Sequence, residues 1–257
     1  MSKENNEKLN EQLVRCLLDD KIPNDIRLKK MDYIICLGGA VDAKHETGYS
    51  LLSLAKFMGD EEVICLLEKR GARESDLDKK RAEEFFKTAS LNDMNKFLRV
   101  LPDGYELDCD VDLSCRGLDS LPNFSRVIVN GYFNCSNNEL TTLCGAPREI
   151  REGKTDDEDI YSIFKSSNFD CRCNKLTSLK GAPIFVKGDF DCTSNELTTL
   201  CEAPEEVNGD FNCRSNPLSN ITGRPKVIGG EFNTDFYDRY NLTENGFPRK
   251  DRWRNWR

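Results

Sequence analysis

Residues 169–231 read FDCRCNKLTSLKGAPIFVKGD (169–189), FDCTSNELTTLCEAPEEVNGD (190–210) and FNCRSNPLSNITGRPKVIGGE (211–231), and Phe232 opens the next line. Written this way, Phe-x-Cys-x-x-Asn-x-Leu-x-x-Leu-x-x-x-Pro-x-x-Val/Ile returns every 21 residues. An earlier copy holds Phe133, Cys135, Asn138, Leu140, Leu143, Pro147 and Ile150. It stands 36 residues upstream, one period plus a 15-residue insertion at 153–167. Val111, Leu113, Leu118 and Leu121 make a degraded first copy without the Asn. A period in the twenties signals a solenoid, whose units bury their apolar faces only against their neighbours.

Side chains alternate faces along a strand, so each Phe-x-Cys predicts a short parallel strand with Phe and Cys inward. These strands are expected to stack into one sheet. Cys135, Cys171, Cys192 and Cys213 then form an inward column of small apolar side chains. No CxxC pair or tetrahedral convergence argues for zinc. Cys144, Cys173 and Cys201 fall outside the column, as exposed thiols. The recurring Asn predicts a ladder whose amide satisfies backbone groups of adjacent turns.

Three outward rows remain. Tyr132, Asn168, Asp189, Asp210 and Glu231 form the first, and Asn134, Asp170, Asp191, Asn212 and Asn233 the second. Ser136, Arg172, Thr193 and Arg214 form the third. The first two are acidic or amide-bearing, which suits a basic or polar protein surface. A solvated face without a ligand is the alternative. The insertion carries an acidic run, Asp156 to Asp159, then Ile160, Tyr161, Ile163 and Phe164. It reads either as a partner-binding arm or as a flap over the sheet edge.

The N-terminal residues differ in period. Leu9, Leu13, Val14, Leu17 and Leu18, then Ile26, Leu28, Met31, Ile34 and Ile35, follow helical spacing up to Gly38-Gly39. After Val41, Gly48-Tyr49-Ser50-Leu51-Leu52-Ser53-Leu54-Ala55 leads to Gly59-Asp60, Val63-Ile64, Leu66-Leu67 and Gly71-Ala72. Ser50 is placed to cap one helix and Gly59 to end it, with Glu61 to Arg70 as its antiparallel partner. This stretch resembles an ankyrin repeat, with Ser50-Leu51-Leu52-Ser53 where the family has Thr-Pro-Leu-His. The missing Pro and His are expected to weaken the turn and its bracing. Residues 82–104, with Phe85, Phe86, Ala89, Met94, Phe97, Leu98 and Leu101, give a third, degenerate unit. Residues 111–233 resemble a short bacterial leucine-rich repeat, with Phe and Cys replacing its first two leucines.

The expected fold is therefore an α+β repeat protein: an ankyrin-like helical solenoid (5–104), then a leucine-rich-repeat-like solenoid with a parallel sheet (105–233). Residues 234–257 follow as a C-terminal cap or basic-aromatic tail. The chain has 257 residues, 32% of them charged, and a net charge of −8. This acidity opposes wholesale nucleic-acid binding, which needs a basic face. No apolar run approaches the ~20 residues of a membrane helix, and the N-terminus has no signal-peptide core. The 12 cysteines mostly occupy apolar repeat positions, so an intracellular protein with reduced thiols is expected.

The lone histidine, His45, is expected to be exposed in a hairpin turn, and no nucleophile motif accompanies it. Gly153-Lys154-Thr155 lacks the upstream glycine of a phosphate-binding loop. No catalytic residue, cofactor or metal is expected. What the two resemblances imply is a monomeric, non-catalytic scaffold that binds a protein partner on an acidic concave face. That face comprises Tyr132, Asn134, Asn168, Asp170, Arg172, Asp189, Asp191, Asp210, Asn212, Arg214 and Glu231. The pairing is similar to proteins of intracellular bacteria, phages and large viruses, implying action in a host cell. The alternative functions are RNA binding through the basic-aromatic tail and thiol chemistry at Cys144, Cys173 or Cys201.

Overall fold

A computed structural model describes residues 3–153 and 167–236. Its helical part is six helices: α1 (Lys3–Leu18) packs against α2 (Asn24–Cys36) and α3 (Leu51–Met58) against α4 (Glu61–Lys69), while α5 (Lys79–Thr88) and α6 (Leu91–Val100) meet through Phe85 and Phe97. Side chains at Ser50, Asp60, Asp78 and Ser90 cap α3 to α6 by accepting the N–H three residues on. Gly59 ends α3 with φ at 67°, as its position predicts. The bracing expected to be lost is supplied by Ser53. Its hydroxyl donates to Ser75 O at 2.9 Å and accepts the Ser75 N–H at 3.1 Å, tying α3 to the following loop. A buried pair, Arg27 to Asp60 at 3.1 Å, does the same between α2 and the start of α4.

Beyond the helices the chain winds into a parallel β-solenoid of about six turns. Strands β2 (Val111–Asp112), β4 (Phe133–Asn134), β6 (Phe169–Asp170), β8 (Phe190–Asp191), β10 (Phe211–Asn212) and β12 (Phe232–Asn233) form one sheet. The expectation of a single sheet is corrected. A second sheet runs through β1 (Tyr105–Leu107), β3 (Val127–Asn130), β5 (Glu149–Arg151), β7 (Phe185–Val186), β9 (Glu206–Val207) and β11 (Val227–Ile228). It is the Pro-x-x-Val/Ile segment of each repeat. The buried proline opens an extended stretch whose Val or Ile points back at the core, as at Val186 and Val207, both 0% exposed. The degraded first copy makes a full coil, with Val111 paired to Phe133.

Identical residues fall on top of one another. Phe133, Phe169, Phe190 and Phe211 are fully buried, their ring centroids 5.2–5.3 Å apart and nearly parallel. Cys135, Cys171, Cys192 and Cys213 form the expected inward column. The insertion leaves this register intact, because Phe133 pairs directly with Phe169. The predicted Asn ladder is present. Asn174 Nδ2 donates to Cys135 O and Cys171 O, both at 3.0 Å, while its Oδ1 accepts Leu140 N–H at 3.1 Å. Asn195 and Asn216 repeat this pattern one and two coils on.

The two parts share one hydrophobic core. Aromatic rings run from Phe97 and Phe86 through Phe124 to Phe133, with centroids 5.2–6.1 Å apart. Arg116 stands where later coils carry the ladder Asn. Its guanidinium instead donates to Phe86 O and Ala89 O, carbonyls at the end of α5. Tyr49 and Tyr105 are joined through their hydroxyls.

His45 is not exposed, as its turn position suggested, but 5% accessible. It stacks on Phe97 at 4.8 Å, with Phe85 edge-on at 4.8 Å, because its hairpin folds under α5 and α6. Its Nδ1 accepts the Thr47 N–H at 3.2 Å. Burial lowers its pKa from 6.5 to about 4, with Arg81 acting in the same sense and Asp93 against it. The unfolded chain therefore takes up a proton before the folded one does. Stability should fall as pH drops from 6.5 to about 4, by about 3 kcal/mol at the lower limit. In urea denaturation across this range, His45→Leu should remove that component of the pH slope; an unchanged slope would refute it.

Candidate functional site: the outward acidic face

The residues expected to bind a partner lie on the sheet of β2, β4, β6, β8, β10 and β12, in columns set by its pairing. Asn134, Asp170, Asp191, Asn212 and Asn233 pair in register as the second residue of each strand. Tyr132, Asn168, Asp189, Asp210 and Glu231 precede the strands. Neighbouring strands sit ~4.8 Å apart, so each column presents its groups at that interval.

Both columns serve the backbone first, which the sequence reading missed. In the first, Asn168, Asp189 and Asp210, together with Asp110 one coil earlier, each accept a backbone N–H from the following coil. Asp110 Oδ1 takes that of Tyr132 at 2.8 Å; Asn168, Asp189 and Asp210 take those of Asp189, Asp210 and Glu231 at 2.7 Å. In the second, Asn134, Asp170, Asp191 and Asn212 each accept the N–H two residues on, at 2.9–3.3 Å, fixing the corner after the strand. The buried thiols make a further ladder. Cys171, Cys192 and Cys213 donate to Asp191 O, Asn212 O and Asn233 O at 3.3–3.4 Å. Burial pushes their pKa values up, that of Cys213 to about 11, so they stay thiols. Cys144, Cys173 and Cys201 are exposed, as expected.

The signal for the first column was the glycine ahead of it. Gly188, Gly209 and Gly230 precede Asp189, Asp210 and Glu231, and a Cβ there would strike the carboxylate or amide oxygen of the coil below. These glycines are needed for close approach, since none has a positive φ.

The charges divide the face. Asp170 is 5% exposed, and its Oδ2 accepts from Tyr132 Oη at 3.1 Å with Arg172 Nε at 3.2 Å. Burial pushes its carboxyl pKa up, although the Arg172 N–H and guanidinium oppose this. Burial and the adjacent Asp170 also push the Tyr132 phenol up. That corner is internally paired. By contrast, Asp189, Asp191, Asp210 and Glu231 form no ion pair among the described residues. Arg172 and Arg214 flank this strip, both exposed, with Arg214 Nη2 donating to Asn233 Oδ1 at 3.3 Å.

Among the described residues no group of three or more His, Cys, Asp or Glu is placed to hold a metal ion. No helix among them is long and apolar enough to cross a membrane. The acidic run of the insertion, its apolar residues Ile160, Tyr161, Ile163 and Phe164, and the tail on which RNA binding rests lie outside the described residues.

Gly209→Ala should test the close approach. The new Cβ would lie 2.6 Å from the Gly188 carbonyl carbon, and the loss of stability by chemical denaturation should be about 1–3 kcal/mol. A neutral substitution would mean that the coils are less closely stacked than described. No protein-family model matches this chain, and no curated protein or solved structure is detectably similar to it.

Proposed function

We propose that this protein is a non-catalytic interaction scaffold, and that the strip Asp189, Asp191, Asp210 and Glu231 receives a basic segment of a protein partner. In this reading the six helices are an ankyrin-type unit. The coils are a leucine-rich-type array with a second sheet. The supporting observation is that the ladder needs an oxygen and not a charge. Asn168 accepts its N–H at the same 2.7 Å as Asp189 and Asp210. Asn134 and Asn212 hold their corners as Asp191 does. The chain nevertheless carries carboxylates at 189, 191, 210 and 231, none of them ion-paired among the described residues. Charges at one coil spacing reinforce one another's field and steer a cationic partner.

The same equivalence supplies the experiment. The triple variant Asp189→Asn, Asp191→Asn, Asp210→Asn removes three charges while keeping every backbone acceptor. With a decalysine peptide as probe, its affinity at low salt should fall about tenfold, taking about 0.5 kcal/mol per half-buried charge. Its melting temperature should stay within a few degrees of the parent. Unchanged peptide affinity would overturn the reading.

A further inference from the structure

A surface helix ordinarily carries one apolar stripe, facing the core, and turns its polar side outward. Helix α2 carries two. Its inner side holds Met31, Ile34 and the buried Arg27, and the helix packs there against α1 and α4. Its outer side presents Ile26, Tyr33 and Leu37, which are 50%, 64% and 42% exposed. Leu37 is the C-cap and still helical in backbone, with φ −77° and ψ −1°. At 3.6 residues per turn the three fall within about 40° of one another and run for about 16 Å along the helix. Lys30 lies on the same line. Ile26, Lys30, Tyr33 and Leu37 therefore follow the alternating four- and three-residue spacing of the d and a positions of a heptad seam. Lys30 and its neighbour Lys29 are exposed, and neither is ion-paired among the described residues. On the far flank Asp32 is paired with Arg70. The outward side of α4 shows what the fold itself requires: Glu61, Glu62, Cys65, Glu68 and Lys69, all exposed and none a large apolar side chain. Among the described helices, α2 alone exposes large apolar side chains.

We propose that this outer face of α2 docks an amphipathic helix of a partner protein, whose apolar residues cover Ile26, Tyr33 and Leu37 and whose carboxylates meet Lys29 and Lys30. Charge selects the occupant. A lysine within a heptad seam is matched by an acid on the facing helix, whereas a second copy of α2 would place Lys29 and Lys30 of both chains in one seam. A bilayer attracts a basic helix through anionic lipids, which the net charge of −8 opposes. The face lies on a different element from the acidic strip at Asp189, Asp191, Asp210 and Glu231 and takes a ligand of opposite charge, so the two stand independently.

The probe is a three-heptad peptide with leucine at a and d and glutamate at e and g, whose like charges oppose its self-association. Added to the full chain, it should gain helical circular dichroism and shift the backbone amide NMR signals of residues 26–37. Its affinity should fall about tenfold or more in Tyr33→Ser, and again in the double variant Lys29→Glu, Lys30→Glu. Both variants change exposed side chains, so their melting temperatures should stay within a few degrees of the parent. The double variant should instead show the α2 shifts with the counterpart peptide carrying lysine at e and g. Those shifts are read at α2 because the acidic strip also attracts lysine. Absence of the α2 shifts in the parent, or equal affinity in the double variant, would overturn the proposal. So would a parent dimer that Tyr33→Ser dissociates, which assigns the face to a second copy. Binding to anionic phospholipid vesicles that displaces the glutamate peptide would assign it to a membrane surface instead.

Discussion

The structure depends on one constraint: at every coil, polar groups buried between two sheets must find partners at the spacing of stacked strands. A chain that turns corners leaves backbone N–H and C=O groups outside the sheet pairing, and burying them unpaired costs about 1–3 kcal/mol each. Here side chains satisfy them from coil to coil. The buried Asn column donates to two coils at once and accepts from the turn between them. The outward Asn/Asp column accepts from the next coil, and the thiol column donates to it. Because each is a bond between successive repeats, the period of the sequence becomes the register of the structure.

The helical part belongs to the same arrangement. A solenoid needs its first coil covered, and α5 and α6 cover it, with Phe97 packed on Phe86 and Phe86 on Phe124. The ladder's Asn is useless in a coil with no predecessor. Arg116 occupies that position and reaches the carbonyls at the end of α5 instead. The degraded first repeat is thus an adapted one. The continuous core makes the helices and coils one body, so residues 102–110 form a packed junction.

Much of this was legible in the sequence. The Phe, Cys and Asn columns followed from period and alternation, and Ser50 and Gly59 from cap chemistry. The insertion followed from the 36-residue gap. What was not legible depended on position in space. The second sheet was hidden because Pro-x-x-Val offers one inward side chain per coil and no alternation to count. His45 read as exposed because a hairpin turn is usually at the surface; only the return of α5 and α6 buries it. The acidic rows read as a binding face because charge is visible in a sequence and an accepted N–H is not. The structure gives these residues two roles, a ladder oxygen that Asn supplies equally well and a charge that the fold does not need.

That division between oxygen and charge, and between a buried donor and an outward acceptor, is tested by making one substitution at two places. Asn195 uses its amide hydrogens on Cys171 O and Cys192 O, whereas Asn212 uses only its oxygen, for the Arg214 N–H. Equilibrium urea denaturation of Asn195→Asp should show a loss of about 2 kcal/mol or more, since buried carbonyls lose their donor and meet a carboxylate. Asn212→Asp should lie within about 0.5 kcal/mol of the parent, as a surface change that keeps its bond does. Comparable losses at the two sites would contradict the account, because the buried amide ladder would then not be what holds the coils in register.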